Sequence, residues 1–184
     1  DDVIATLAKS YSEWCDDVRI VGTDKDCAQC ITEHVKQYIP PVGAKDWEVR
    51  DIKAVWEKFK VPPGLMPLYQ GLVGDKTDNI PGVPDIGPVT AARLVNDYPS
   101  PELLAAGVAS GAIVRANSKL DAKVKSLAAN WESLVLSMKL ATLDTAVPLD
   151  VQALLSNCEP VAPKRGMGDP ALDEASRLYQ EKLP

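Results

Sequence analysis

Histidine is nearly missing from this chain: His34 stands alone among 184 residues. Catalytic triads and histidine-based acid–base schemes therefore have little to draw on. Long apolar runs are missing too, with nothing near the ~20 residues a membrane helix needs. The opening residues show no basic, apolar and small-residue pattern of a secretory signal. The four cysteines form no regular framework, which favours a reducing cytoplasm over a disulfide-stapled secreted fold. No internal repeat is visible. Positive charge is in short supply: 20 Lys and Arg face 26 Asp and Glu, for a net charge of −6. At first sight that argues against a nucleic-acid partner. The objection weakens where acids are metal ligands, because bound cations invert the local sign and the distribution of charge outweighs its total.

What is present fits one globular domain with room for a small satellite: 46% apolar and 25% charged residues. One stretch organises the rest, from Gly74 to Leu94. Its first half sets Asp75 and Asp78 three residues apart, so that one helical turn brings both carboxylates to one face. Two hard oxygen donors on one face suit a divalent cation such as Mg2+. Its second half, Gly82-Val83-Pro84-Asp85-Ile86-Gly87, reads as a tight hairpin between two short helices. Gly87 allows close backbone approach, and Pro88 sits where a helix start needs no donor. Free N–H groups at such a start can hold a phosphate. A metal site beside a phosphate cradle points to phosphodiester chemistry on nucleic acid.

In chain order, residues 2–14 read as a helix. Val18 to Gly22 is a β-prone run, a parallel strand buried in a sheet, ending at Thr23-Asp24-Lys25-Asp26. Acids at the carboxyl end of such a strand sit where α/β ligands bind. Cys27-Ala28-Gln29-Cys30 offers a redox or zinc reading with His34, but two Cys and one His make an incomplete site. The competing reading is burial as small hydrophobes. Val35 to Ile39 is a second strand and Pro40 to Gly43 a turn. Residues 51–59 form a helix with Ile52, Val55, Trp56 and Phe59 on one face, the aromatics expected in the core. A helix from Leu65 to Val73 tolerates Pro67 only in its first turn. Ser100 caps a short helix with Pro101 at its first position. Lys119 to Leu140 reads as one long amphipathic helix whose lysines can track a DNA backbone. Residues 156–169 read as linker, and Pro170 to Leu183 as a polar amphipathic helix.

The organising stretch resembles the helix–three-turn–helix region of the 5′→3′ exonuclease/flap endonuclease family, which includes the N-terminal nuclease domain of bacterial DNA polymerase I. That family's pattern, G-D-x-x-D-N-I-P-G-V-x-G-I-G-x-x-T-A, is matched at nearly every position. Asp85 stands where Gly is usual and Val89 where Lys is common; Asp tolerates a left-handed conformation better than most residues. The strand followed by Thr23-Asp24-Lys25-Asp26 resembles the family's metal-binding segment, and the opening Asp1-Asp2 resembles the end of its Glu-Ala-Asp-Asp helix. The resemblance runs to about residue 155. It implies that Asp24, Asp26, Asp75 and Asp78 surround one metal, that Asp1 and Asp2 lie toward another, and that Asp24, Asp26 and Asp75 are catalytic. It implies two Mg2+ or Mn2+ ions in the complete site, DNA gripped by Lys76, Thr77, Gly82, Val83, Gly87, Thr90 and Arg93, and a K+ ion at the hairpin.

The expected fold is α/β: a partial parallel sheet with flanking helices, plus a helical helix–three-turn–helix (helix-hairpin-helix) DNA-binding region. The expected division is 1–60 for the nuclease core, 61–155 for the helical region and 156–184 for linker and terminal helix. The expected activity is hydrolysis of DNA at 5′ flaps, nicks and 5′ ends in replication and repair, in a bacterial or phage-like cytoplasm. The absent Glu and upstream acids imply a missing N-terminal segment, and a covalently linked polymerase domain is a candidate partner. Two rivals stand beside this. One is a non-catalytic hairpin DNA-binding module or inactive fragment. The other is a phosphatase-like hydrolase using Asp24-Lys25-Asp26, which leaves Asp75 to Gly87 unexplained.

Overall fold

The computed structural model describes residues 1–41 and 46–156. The expected linker and terminal helix, and part of the turn at Pro40 to Gly43, lie outside the described residues. The chain opens with helix α1 (Asp2–Ser12) and strand β1 (Val18–Val21). A 3-10 turn (Asp26–Cys30) leads to β2 (Val35–Ile39), β3 (Glu48–Arg50) and helix α2 (Ile52–Phe59). Among the described residues, helices then follow without further strands: α3 (Met66–Val73), α4 (Pro88–Asp97), α5 (Pro101–Ala109), α6 (Ala112–Ala116), α7 (Asp121–Ala129), α8 (Trp131–Ala141) and α9 (Val151–Ser156).

The sheet is small and mixed, in the order β1-β2-β3. Val18 pairs with Val35 in a parallel β1–β2 ladder, while Gln37 pairs with Arg50 in an antiparallel β2–β3 ladder. The parallel pair is as the sequence predicts. The antiparallel strand β3 is an addition, three residues long and too short to carry a period of its own.

The main core is helical. Met66, Leu72, Leu94, Leu104, Leu127 and Leu134 are fully buried in it. A smaller cluster of Ala8, Ile20, Cys27 and Val35 joins α1 to the sheet. Cys27 is therefore buried as a small hydrophobe, and burial pushes both the Cys27 and Cys30 thiols up to about 11. Helix α3 crosses α8 at Gly71, where a Cβ would lie 3.0 Å from the Cβ of Met138. The helix starts follow their sequence signals. The Asp51 carboxylate accepts the Ala54 N–H (2.7 Å), and the Ser100 hydroxyl accepts the Leu103 N–H (3.2 Å). Pro67 does sit in the first turn of α3.

Two expectations need correction. The single helix from Lys119 to Leu140 is broken at Asn130, which leaves helical geometry (φ −113°, ψ 23°) between α7 and α8. Its side chain donates to the Ser126 carbonyl (2.8 Å), closing the end of α7. Asparagine competes for backbone groups in this way and so favours helix ends. The second correction concerns α2. Val55 is fully buried, but Ile52 and Trp56 are 41% and 46% exposed. The helix rests on β3 and on the turn at Pro63–Leu65, so its apolar stripe is wider than the surface that receives it.

Candidate metal centre and hairpin

Strand β1 delivers the acids of residues 24–26 to the foot of α3. The Asp24 carboxylate accepts the N–H of Asp26 (2.9 Å), folding the loop back on itself. The backbone of that loop is held from behind. The Gln37 side-chain amide donates to the backbone carbonyls of Gly22 (3.0 Å) and Asp24 (2.6 Å), and Arg50 donates to the Gln37 side-chain oxygen Oε1 (2.7 Å). Gln37 and Arg50 are almost completely buried, so this relay across the sheet is shielded from water.

The second pair of acids comes from the loop after α3. Residues 75–78 are a tight turn rather than the helical turn their spacing suggests. Asp75 and Ile80 exchange two backbone hydrogen bonds, N–H of Asp75 to Ile80 O (2.8 Å) and N–H of Ile80 to Asp75 O (2.7 Å). Asn79 supports the turn at φ 58°, a left-handed value Asn tolerates. The Asp75 carboxylate accepts the Thr77 N–H (2.9 Å) and is ion-paired with Lys25.

Among the described residues, the group of His, Cys, Asp or Glu that comes together is Asp26, Asp75 and Asp78, with one oxygen of each within 4.8 Å of the others. Asp24 is outside that group, though its charge acts on both Asp26 and Asp78. Asp1 and Asp2 also lie outside it. The Asp2 carboxylate accepts the N–H of Asp144 (2.9 Å), tying α1 to the segment after α8. The group is electrostatically uneven. Burial raises the Asp26 carboxyl, opposed by a hydrogen bond from Gln70, and the Asp24 charge raises it further. Loss of hydration and the Asp75 charge raise Asp78. For Asp75, burial acts upward, but the Lys25 ammonium and the Thr77 N–H prevail and hold it below the usual carboxylate range.

Two further residues of this centre take roles that the resemblance assigned to neither. Lys25 faces the acids as their counter-charge, and Gln70 donates to Asp26 from the buried face of α3. The side-chain oxygen of Gln70, Oε1, has no hydrogen-bond partner among the described residues. A polar side chain at a buried helical position is the signal that reveals Gln70. The same test, applied to the inward-facing positions of β2, finds Gln37.

The hairpin follows immediately. Gly74 (φ 78°) and Gly82 (φ 66°) cross so closely that a Cβ on either would lie within 2.7 Å of the other's backbone nitrogen. Asp85 takes φ 66° where the family pattern has Gly. Val83 and Ile86 plug the core, and the Val83 N–H is committed to the Leu72 carbonyl (2.8 Å). Gly82 and Val83 therefore shape the hairpin from inside. Gly87, Lys76, Thr77 and Arg93 are exposed, and Thr90 accepts a hydrogen bond from Lys123 (2.7 Å). Ser126 donates to the Pro84 carbonyl (2.8 Å), so α7 braces the loop. Gly87 has nothing within 4 Å of its Cβ position, so its openness is toward solvent. Val89, just inside α4, is 87% exposed.

A mixed sheet delivering acids to the base of a helix–hairpin–helix defines an α/β protein with an acidic centre and a helical SAM-like unit. The model of the family described as "5′-3′ exonuclease, C-terminal SAM fold" matches residues 61–164, more than half of the chain. The chain belongs to this 5′→3′ exonuclease/flap endonuclease family. It is 38% identical to DNA polymerase I of Rhizobium leguminosarum over 152 residues, which is 82% of this chain and 14% of that protein. It is 42% identical to a 5′-3′ exonuclease of Aquifex aeolicus over 102 residues, 55% of this chain and 34% of that one. The chain thus spans 14% and 34% of these relatives' lengths. A bacteriophage T5 flap endonuclease solved with DNA and metal ions shares the fold, with a TM-score of 0.61 and 18% identity over 98% of this chain and 58% of that one. Among the described residues, no helix is long and apolar enough to cross a membrane.

Proposed function

We propose that this chain forms part of a structure-specific 5′ nuclease that hydrolyses DNA phosphodiester bonds in replication and repair. The observation that carries this is the convergence of Asp26, Asp75 and Asp78 beside the hairpin that opens α4. The donor set fits a divalent ion such as Mg2+ or Mn2+: three hard oxygens, two of them on carboxyls raised by loss of hydration and by neighbouring carboxylates, with an ammonium as their counter-charge. Asp26, Asp75 and Asp78 would hold such an ion, which would supply charge stabilisation at a phosphate and a more acidic water; by resemblance the complete site takes two. Asp24 turns the loop that aims Asp26. Asp1 and Asp2 belong to the second position by resemblance. The exposed Lys76, Thr77, Gly87 and Arg93, with the half-buried Thr90, grip the DNA backbone without reading its sequence, and a K+ ion sits on the hairpin. The substrates are 5′ flaps, nicks and 5′ ends. A longer bacterial or phage-like cytoplasmic protein, with further N-terminal strands and a polymerase domain as its natural extension, is the setting the relatives support.

The test is cleavage of an end-labelled 5′-flap DNA in Mg2+, with EDTA and Asp75→Asn as controls. Cleavage abolished by both supports the nuclease reading. Flap binding without cleavage supports the rival, a hairpin DNA-binding module. A second measurement addresses the grip. Gly87→Ala should leave the melting temperature unchanged, because its Cβ meets no atom of this chain. It should weaken duplex binding by about tenfold, because a phosphate approaching the start of α4 then meets a methyl group. Unchanged affinity in a fluorescence anisotropy titration would remove Gly87 from the DNA contact.

A further inference from the structure

The exposed Trp56 borders a groove of about 400 Å³ between α2 and α4 that the metal centre and hairpin do not account for. Its charge is of one sign: Lys58, Lys60 and Arg93 line it, and no carboxylate does. It also reaches Pro88 and Val89, the opening residues of the helix proposed to hold DNA. Lys60 stands out on this rim. It ends α2 in the left-handed conformation, φ 60° and ψ 25°, where glycine is the unstrained choice. Its backbone carbonyl is taken by Asn96 (2.7 Å), so the main chain is fixed while the side chain stays exposed. A lysine in this left-handed conformation places a cation on the groove at a cost in backbone strain.

We infer that this groove holds unpaired nucleotides of a DNA strand leaving the duplex at the hairpin, with a base stacked on Trp56 and its phosphates met by Lys58 and Lys60. The inference rests on the hairpin reading, since the groove is continuous with the start of α4. An aromatic face exposed beside a one-sign cationic rim is the arrangement by which single strands are held without sequence preference. The strand is single because stacking on Trp56 requires a base with a free face.

The test compares three probes by fluorescence anisotropy in Ca2+: a blunt duplex, the same duplex with an oligo-dT overhang, and oligo-dT alone. The overhang should tighten binding by the intact chain. Trp56→Ala should remove about tenfold of that gain, and Trp56→Phe should restore most of it. Lys60→Gly should weaken overhang binding and lower its salt slope by about 0.7, while the melting temperature holds or rises. Blunt-duplex affinity should not change in any variant. An overhang that adds nothing, or variants that weaken both duplexes equally, would overturn the groove. Loss of stability in Lys60→Gly would assign that residue a structural role instead. Failure of the intact chain to bind any duplex would overturn the hairpin reading separately. The groove then stands or falls on whether Trp56→Ala weakens oligo-dT alone.

Discussion

Gly82→Ala should destabilise the protein by about 3 kcal/mol or more, lowering its melting temperature by roughly 10 °C. Two independent penalties act at this position. Its φ of 66° is left-handed, which disfavours any side chain. A Cβ there would also stand 2.6 Å from the nitrogen of Gly74 and from the carbonyl carbon and oxygen of Val73. Those are backbone atoms at the end of α3, and they cannot swing aside as a flexible side chain would. Moving them would break the Val83 N–H bond to Leu72 and loosen the turn that carries Asp75 and Asp78. Gly74→Ala should cost a similar amount, because its Cβ would meet Gly82 N at 2.7 Å. The double variant should cost less than the sum, since both clashes are relieved by one separation of the same two strands of chain. Gly64→Ala is the control: its Cβ position is open, so stability should hold. Thermal denaturation followed by circular dichroism measures all four. A change of under ~1 kcal/mol for Gly82→Ala would show the crossing to be soft.

The same crossing marks the limit of sequence reading. The pattern around Gly82 identified the hairpin, the Pro88 helix start and the left-handed Asp85, because each depends on residues a few positions apart. That Gly82 serves Gly74 is a tertiary fact. Its role was expected at the DNA surface, yet it lies buried against the chain itself. The acids show the same division. Asp75 and Asp78 are neighbours as their spacing suggests, but through a turn closed by Ile80. Their meeting with Asp26 depends on the 3-10 turn Asp26–Cys30 packing against α3. Lys25 and Gln70 were legible only as anomalies, a cation inside an acidic run and a polar group on an apolar helix face. Strand β3 had no signal, being three residues that gain their order from pairing with β2.

The metal centre carries the other large expectation. Asp75→Asn should lower Mn2+ affinity by more than about 100-fold, beyond the 10–100-fold typical of residues that only support a ligand. Asp75 is the most buried of the three acids and the one held below the usual carboxylate range, by the Lys25 ammonium and the Thr77 N–H. Asp26 and Asp78 behave oppositely, with carboxyls raised above the ordinary value. A raised carboxyl binds more protons in the folded state than in the unfolded one. Its contribution to stability therefore falls as pH rises from the unfolded pKa through the folded one. Without metal, each is a source of instability at neutral pH that a divalent ion would remove. Asp26→Asn and Asp78→Asn should thus raise the melting temperature of the metal-free protein while erasing the rise that Mn2+ gives the intact chain. Affinity should also fall as pH drops through the raised carboxyls, because protons and ion compete for the same oxygens. Isothermal titration of Mn2+ against pH, with melting curves in EDTA, tests each statement. A metal-free variant less stable than the parent would mean these acids are held by hydrogen bonds rather than crowded by charge. The Gln70 and Asp24 contacts with residue 26 would then be the dominant interactions in the centre.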